Sequence, residues 1–305
     1  MATINRRSGG KSSAALPTKR KPVTAISARK RPVIFRAKDI ELPTEFSEPV
    51  SSLGGATLLI YGEEKIGKSS FASMFPDCLF LVFEDGVKYL SVKRLPLKGS
   101  MSSWEEFKAI VEKICSSELY ENIIIDTADL AYVLCVRYIL ELHNEKSINE
   151  GKLAYRRGQD LVEMEFKKPF MDLKATGRGI VYISHAKTKE FEEETGAKYN
   201  KLIPTMGEPA RLFIKGDADA TIYYGYFGME RWLCIEGSQT IDGGNRAEGH
   251  FLTTSGEIVH AVPMGESKEE AFENFMAAFN NEQEEQFILK RKPKLSERKA
   301  KFKAK

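Results

Sequence analysis

The chain has 305 residues, 42% hydrophobic and 29% charged, the composition of a soluble globular protein with room for one large domain or two small ones. Its net charge of +3 conceals a separation: residues 1–38 hold eleven Lys/Arg and no acid, residues 290–305 hold nine Lys/Arg and one acid, and the 251 residues between carry 26 basic and 42 acidic side chains. No membrane span, export signal or structural metal site is expected: no apolar run approaches the roughly 18 residues that cross a bilayer, the basic N-terminal stretch lacks the apolar segment of a secretory leader, and the four Cys and four His form no ligand-spaced cluster.

Residues 1–38, rich in Lys, Arg, Ser, Ala and Pro, cannot bury enough apolar surface to offset the entropy of ordering, so a disordered basic tail is predicted there and again over 290–305. From Thr57 onward short apolar runs alternate with helical segments, the pattern of an α/β fold with a mostly parallel sheet and crossover helices. Strands are predicted over Thr57–Tyr61, Leu79–Phe83, Asn122–Asp126, Gly179–Ser184, Ala218–Tyr226 and Arg231–Glu236. Helices are predicted near Lys68–Met74, Trp104–Cys115, Leu130–Leu142 and Asp160–Ala175. A last amphipathic helix within 266–289 opens on Ser267 with Glu270 three residues on, a capping box, and carries Phe272, Phe275, Met276 and Phe279 on one face.

The sharpest motif is Gly62-Glu63-Glu64-Lys65-Ile66-Gly67-Lys68-Ser69, followed by Ser70. It fits G-x-x-x-x-G-K-[ST], in which glycines let the backbone curl around phosphates, the lysine reaches the β/γ-phosphates and the hydroxyl meets Mg²⁺. The apolar run Leu58–Tyr61 ends just before it and an apolar helical segment with Phe71 and Ala72 follows, the strand–loop–helix context the motif requires. A second apolar run, Ile123-Ile124-Ile125, ends on Asp126, the form expected of a Mg²⁺-organising carboxylate. Asp129 is better placed than Asp126 to cap the helix that follows. Two further strand ends deliver Glu84-Asp85-Gly86 and Ser184-His185, at the sheet edge where ligands of open α/β folds gather.

The succession Leu59-Ile-Tyr-Gly-x4-Gly-Lys-Ser-Ser, Phe80-Leu-Val-Phe-Glu84-Asp-Gly86, Ile123-Ile-Ile-Asp126-Thr and Val181-Tyr-Ile-Ser-His185-Ala-Lys187 resembles the phage RecA-like ATPases, nucleotide-binding AAA-domain proteins that include single-strand annealing proteins with a RecA/Rad-like core. The resemblance spans about residues 52–250 and implies a RecA-like P-loop core over 39–265, between the two tails and with the C-terminal helix as a separate element. It implies ATP and Mg²⁺ as ligands, Lys68 on the β/γ-phosphates, Ser69 and Asp126 at the metal, Glu84 as the catalytic carboxylate and His185 as the γ-phosphate sensor. Lys65 stands where the family usually has glycine. Lys215 and Arg246 are candidates for groups that reach a neighbouring protomer's nucleotide in a homo-oligomer. A cytoplasmic protein of the phage-infected host cell follows from the same resemblance.

RecA-like cores bind single-stranded DNA through loops that follow the Asp126 and His185 strands. Here the first such region offers Tyr155, Arg156 and Arg157, cations beside an aromatic ring suited to base stacking. The second, 187–201, is hairpin-like and ambivalent: Phe191 and Tyr199 favour nucleic acid, whereas Glu190 and Glu192–Glu194 would repel phosphate. The twenty cations of the tails are the electrostatic footprint of backbone binding. The expected function is therefore a Mg-ATP-dependent, DNA-stimulated ATPase acting in recombination, annealing or replication, beside a single-strand-binding or other replication protein. Two alternatives stay open: a non-enzymatic nucleotide-dependent adaptor and a P-loop kinase or phosphotransferase.

Overall fold

The computed structural model describes residues 42–46, 50–194, 196–247 and 249–287. Both predicted tails lie outside the described residues. The described residues from 50 onward form one compact unit; residues 42–46 belong to another and carry no helix or strand.

The strands are β1 (Thr57–Gly62), β2 (Cys78–Val82), β3 (Lys93–Leu95), β4 (Asn122–Asp126), β5 (Gly179–Glu192), β6 (Lys198–Pro204), β7 (Ala220–Phe227), β8 (Glu230–Cys234), β9 (Gly244–Asn245) and β10 (Ala261–Pro263). The helices are α1 (Lys68–Ala72), α2 (Trp104–Cys115), α3 (Ala128–His143), α4 (Arg157–Lys174), α5 (Glu208–Asp217) and α6 (Lys268–Phe279). The main sheet runs β10-β8-β7-β1-β5-β4-β2-β3, parallel from β7 through β3 and antiparallel at β8 and β10, with β9 beside β7 and β6 beside the outer half of β5.

Strict alternation divides the central strands between two cores. Leu58, Ile60, Phe80, Val82, Ile124, Val181 and Ile183 face the layer made by α1 and α6. Leu59, Leu79, Leu81, Ile123, Ile125, Ile180 and Tyr182 face α2, α3, α4 and α5. Burial on both faces explains why these strands read as unbroken apolar runs. Among the described residues no helix is long and apolar enough to cross a membrane.

Each predicted strand and helix has a counterpart, displaced by a few residues at most ends; β5 is the large exception, running eight residues beyond Ser184 into the hairpin with β6. The pattern had given no sign of α5 or of the short strands β3, β9 and β10. The C-terminal helix caps as expected, Ser267 Oγ accepting from the Glu270 N–H at 3.0 Å, but the Glu270 carboxylate accepts from Glu266 N–H, one residue before the cap. Its Phe272 and Phe275 pack on Phe71 and Phe75, with Phe71 and Phe275 centroids 5.3 Å apart, so α6 presses directly on the helix that carries the phosphate loop.

Candidate functional site

Register brings the predicted residues together. Gly62 at the end of β1 stands opposite His185 of β5, Asp126 at the end of β4 opposite Ile183 of β5, and Val82 at the end of β2 opposite Asp126. The C-terminal ends of β1, β2 and β4 therefore converge beside His185 of β5, which lies between the phosphate-loop strand and the Asp126 strand. The Phe83 and Glu84 N–H groups donate to the Asp126 carbonyl at 2.7 and 3.2 Å, which fixes where the Glu84 side chain leaves the sheet. A cleft of about 670 Å³ opens there, lined by Glu64, Lys65, Gly67 to Ser70, Glu84 to Gly86, Lys88 to Leu90, Asp126, Thr127 and His185.

The loop between β1 and α1 has the backbone its motif demands. A Cβ on Gly62 would lie 2.0 Å from the Tyr224 carbonyl oxygen of neighbouring β7, so glycine is required by contact. Gly67 is left-handed at φ 112° as the residue preceding α1. Lys65 adopts φ 60°, the conformation a glycine takes at no steric cost, so the chain keeps the loop's left-handed turn despite the substituted residue.

Lys68 is 6% exposed, and its Nζ donates to the Gly62 and Glu63 carbonyls at 3.0 and 2.7 Å. Burial pushes its pKa down, against the pull of Asp126, Asp129, Glu84 and Glu64. The Ser69 hydroxyl donates to Asp126 Oδ2 at 2.7 Å, pairing the two expected metal ligands across 57 residues of sequence. His185 Nε2 and Glu84 Oε2 are 3.1 Å apart, which joins the expected sensor to the expected catalytic carboxylate.

Among the described residues, two polar atoms of the cleft are buried with no hydrogen-bond partner: Thr127 Oγ1 and His185 Nδ1. Such groups cost roughly 1–3 kcal/mol each unless something is delivered to them. With a lysine parked on backbone carbonyls and a hydroxyl–carboxylate pair beside it, they make a donor set that fits a Mg²⁺-bound polyphosphate: one carboxylate and one hydroxyl for a cation that keeps several waters.

Asp126 carries the main electrostatic cost. Burial raises its carboxyl from 3.8 to about 6; Glu84 adds to the rise, while the Ser69 hydrogen bond and Lys68 oppose it. A carboxyl raised on folding favours the protonated state, so its contribution to stability is complete below about 3.8 and is lost as pH climbs through 6. At neutral pH the ionised, 3% exposed group costs the folded protein on the order of 3 kcal/mol, which a divalent cation would offset. Mg²⁺-dependent nucleotide affinity should therefore fall about tenfold per pH unit below 6 and level off above it. Titrations at pH 5 to 8 with and without Mg²⁺ check this, and Asp126→Asn should remove the slope.

Asp129 departs from its expected role. Thr127 occupies the α3 cap position and makes no side-chain cap bond. Asp129 instead reaches across to β5 and to the residue that follows β6: Oδ2 accepts from the His185 N–H at 3.3 Å, and Oδ1 accepts from Ser184 Oγ at 3.1 Å and from the Thr205 hydroxyl. The carboxylate is drawn to donors on the neighbouring strand rather than to its own helix. Sequence reading missed Thr127, Asp129 and Thr205 as members of the site. Adjacency to Asp126 was the available signal for Thr127; Thr205 had none, because β6 brings it back from beyond the hairpin.

The outlying candidates are placed elsewhere. Tyr155 is fully exposed, and it and Arg156 are left-handed at φ 55° and 69° just before α4. Arg156 pairs with Asp160 at 3.3 Å, and Arg157 begins the helix. Lys215 donates to both Asp242 carboxylate oxygens at 2.7 Å. Arg246 donates to the Asp217 carbonyl at 2.8 Å and lies 3.6 Å from Asp219, whose other oxygen accepts from the Thr57 N–H at the start of β1. Both cations are thus engaged within the chain, Arg246 at the sheet edge opposite the cleft.

The AAA domain family matches residues 55–247, which take in the phosphate loop, Glu84, Asp126, His185 and the hairpin. The chain belongs to this family. An AAA domain is a P-loop nucleotide-binding unit, in agreement with the donor set in the cleft. The chain is also similar to the SPbeta prophage-derived uncharacterized protein YorG of Bacillus subtilis (strain 168), 25% identical over 163 residues that make up 52% of this chain and 48% of that protein. It thus spans about half the length of this phage-derived relative.

Proposed function

We propose that this AAA-domain protein is a RecA-like ATPase that hydrolyses Mg-ATP and acts on single-stranded DNA. The observation that carries the reading is the line from cleft to hairpin: His185, hydrogen-bonded to Glu84, is the last residue of β5 in the main sheet, and from Ala186 the same strand pairs with β6 alone. In this reading Glu84 holds an attacking water, His185 holds Glu84 and Lys68 neutralises phosphate. Bound Mg²⁺ would supply charge stabilisation at the transferred phosphoryl group.

The hairpin's register supports the nucleic-acid reading of this segment. Lys187, Lys189, Phe191, Tyr199 and Lys201 share one face, while Glu190 and Glu192, opposite Asn200 and Lys198, share the other. The Phe191 and Tyr199 rings stack at 5.7 Å and 22°, with Lys189 Nζ 5.4 Å from the Phe191 centroid. An aromatic pair among lysines suits unpaired bases and their phosphates; Tyr155, Arg156, Arg157 and the tails would add backbone contacts. Nucleotide state acts on DNA in this scheme by biasing the hairpin through His185 and Asp129. A homo-oligomer and a replication protein as partner belong to the same proposal.

Hydrolysis measured with and without single-stranded DNA tests it. We expect at least tenfold stimulation, lost in a Phe191→Ala/Tyr199→Ala double variant, and a salt slope of DNA affinity that flattens when residues 1–38 and 290–305 are removed. Absent stimulation together with phosphate transfer to a metabolite would replace the reading by a kinase, and binding without turnover by an adaptor.

A further inference from the structure

Arg231, the second residue of β8, lies against the phosphate loop. Its Nη1 stands 3.4 Å from the point a Cβ would occupy on Gly67, and the Tyr224 hydroxyl is 3.5 Å from that same point. Nη2 donates to the Gly265 carbonyl at 2.8 Å, in the segment leading to α6. The side chain is half-buried. Among the described residues no carboxylate lies within 4.0 Å of it, whereas Arg94, Arg156, Arg211 and Arg246 each have one.

A guanidinium cannot shed its charge, and it presents five N–H donors in a fixed fork. Partly desolvated and without a counter-ion, it gains most from an anion supplied from outside. The anion site beside it is the loop of Gly62 to Ser69. Sheet order then decides which part of the ligand it meets. Glu84, Asp126 and His185 come from β2, β4 and β5, on one flank of β1; Arg231 comes from the opposite flank, beyond β7. The hydrolytic groups face the terminal phosphate, so the Arg231 flank faces the nucleoside end.

We propose that Arg231 is a second cation of the nucleotide site, which grips the phosphate chain on the flank away from Glu84, Asp126 and His185. Since the γ-phosphate lies on the other side, ADP and ATP depend on it alike. The inference rests on the P-loop reading of the loop.

Calorimetric titration of the full chain with ADP and with ATP, both with Mg²⁺, tests it. Arg231→Ala should weaken both by about 10- to 50-fold, the range of a lost charge-assisted hydrogen bond. His185→Ala should weaken ATP alone. Arg231→Gln keeps a donor for the Gly265 carbonyl while removing the charge; it should melt within a degree or two of the unmutated protein and lose the same affinity. An Arg231→Gln protein with unaltered ADP affinity overturns the inference, whether or not it melts earlier, because Arg231 then only ties β8 to the Gly265 segment. A loss confined to ATP overturns it as well. Should the unmutated chain bind neither nucleotide, the P-loop reading itself has failed, a result distinct from either.

Discussion

Glu84→Gln should leave nucleotide bound and slow hydrolysis by about 10²–10³-fold, the size of a general-base or water-orienting contribution. The amide is isosteric with the carboxylate and keeps an oxygen for the His185 Nε2–H contact, now 3.1 Å, so the cleft should stay assembled. Loss of negative charge also removes one of the influences that raise Asp126, so Mg²⁺-dependent affinity should hold or improve slightly. A single-turnover measurement at saturating ATP, paired with a binding titration, separates the two effects. Turnover within tenfold of the unmutated protein would move the role to another carboxylate. Asp85 is the neighbour to examine, although it is half exposed and 3.9 Å from Arg94.

How much of this site could be read in advance follows from what kind of signal each part carries. The phosphate loop and Asp126 announce themselves locally, through glycine spacing and an apolar run ending in an acid. The same is true of the two-faced burial of the central strands. Adjacency is another matter: that β5 lies between β1 and β4, and so sets His185 beside Glu84 across 101 residues, is a property of strand order that periodicity does not encode. Asp129 was misread for the same reason, since its donors belong to β5 and to Thr205 just beyond β6. The hairpin looked self-contradictory in sequence because Lys and Glu are interleaved there; an antiparallel pairing of period two gathers Lys187, Lys189 and Lys201 on one face and leaves Glu190 and Glu192 with Lys198 on the other. Arg231 carried no motif, and its significance arises from its place beside Gly67, its bond to the Gly265 carbonyl and the strand order.

Lys68→Ala should abolish measurable nucleotide binding, a loss of at least about 10²-fold, while changing stability by less than about 1 kcal/mol. The two halves of that expectation have separate causes. With 6% exposure and a pKa pushed down by burial, the ammonium is expensive to keep charged in the cleft. Its removal relieves that cost, while the Gly62 and Glu63 carbonyls lose their donor at 3.0 and 2.7 Å. The near-cancellation is a feature of the empty loop. Once phosphates enter, the same charge leaves two backbone carbonyls for an anion carrying several negative charges, a far better partner in a cleft walled by Asp126, Glu84 and Glu64. Those acids make the lysine important, because without it Lys65, Lys88, Arg231 and the loop's N–H groups are left to oppose them around the phosphate chain. Melting curves of the apo protein, set beside titrations with ATP and ADP, test both halves. Unchanged ATP affinity would remove the loop from the nucleotide site, and a melting temperature lowered by many degrees would mean that the lysine holds the loop together even when it is empty.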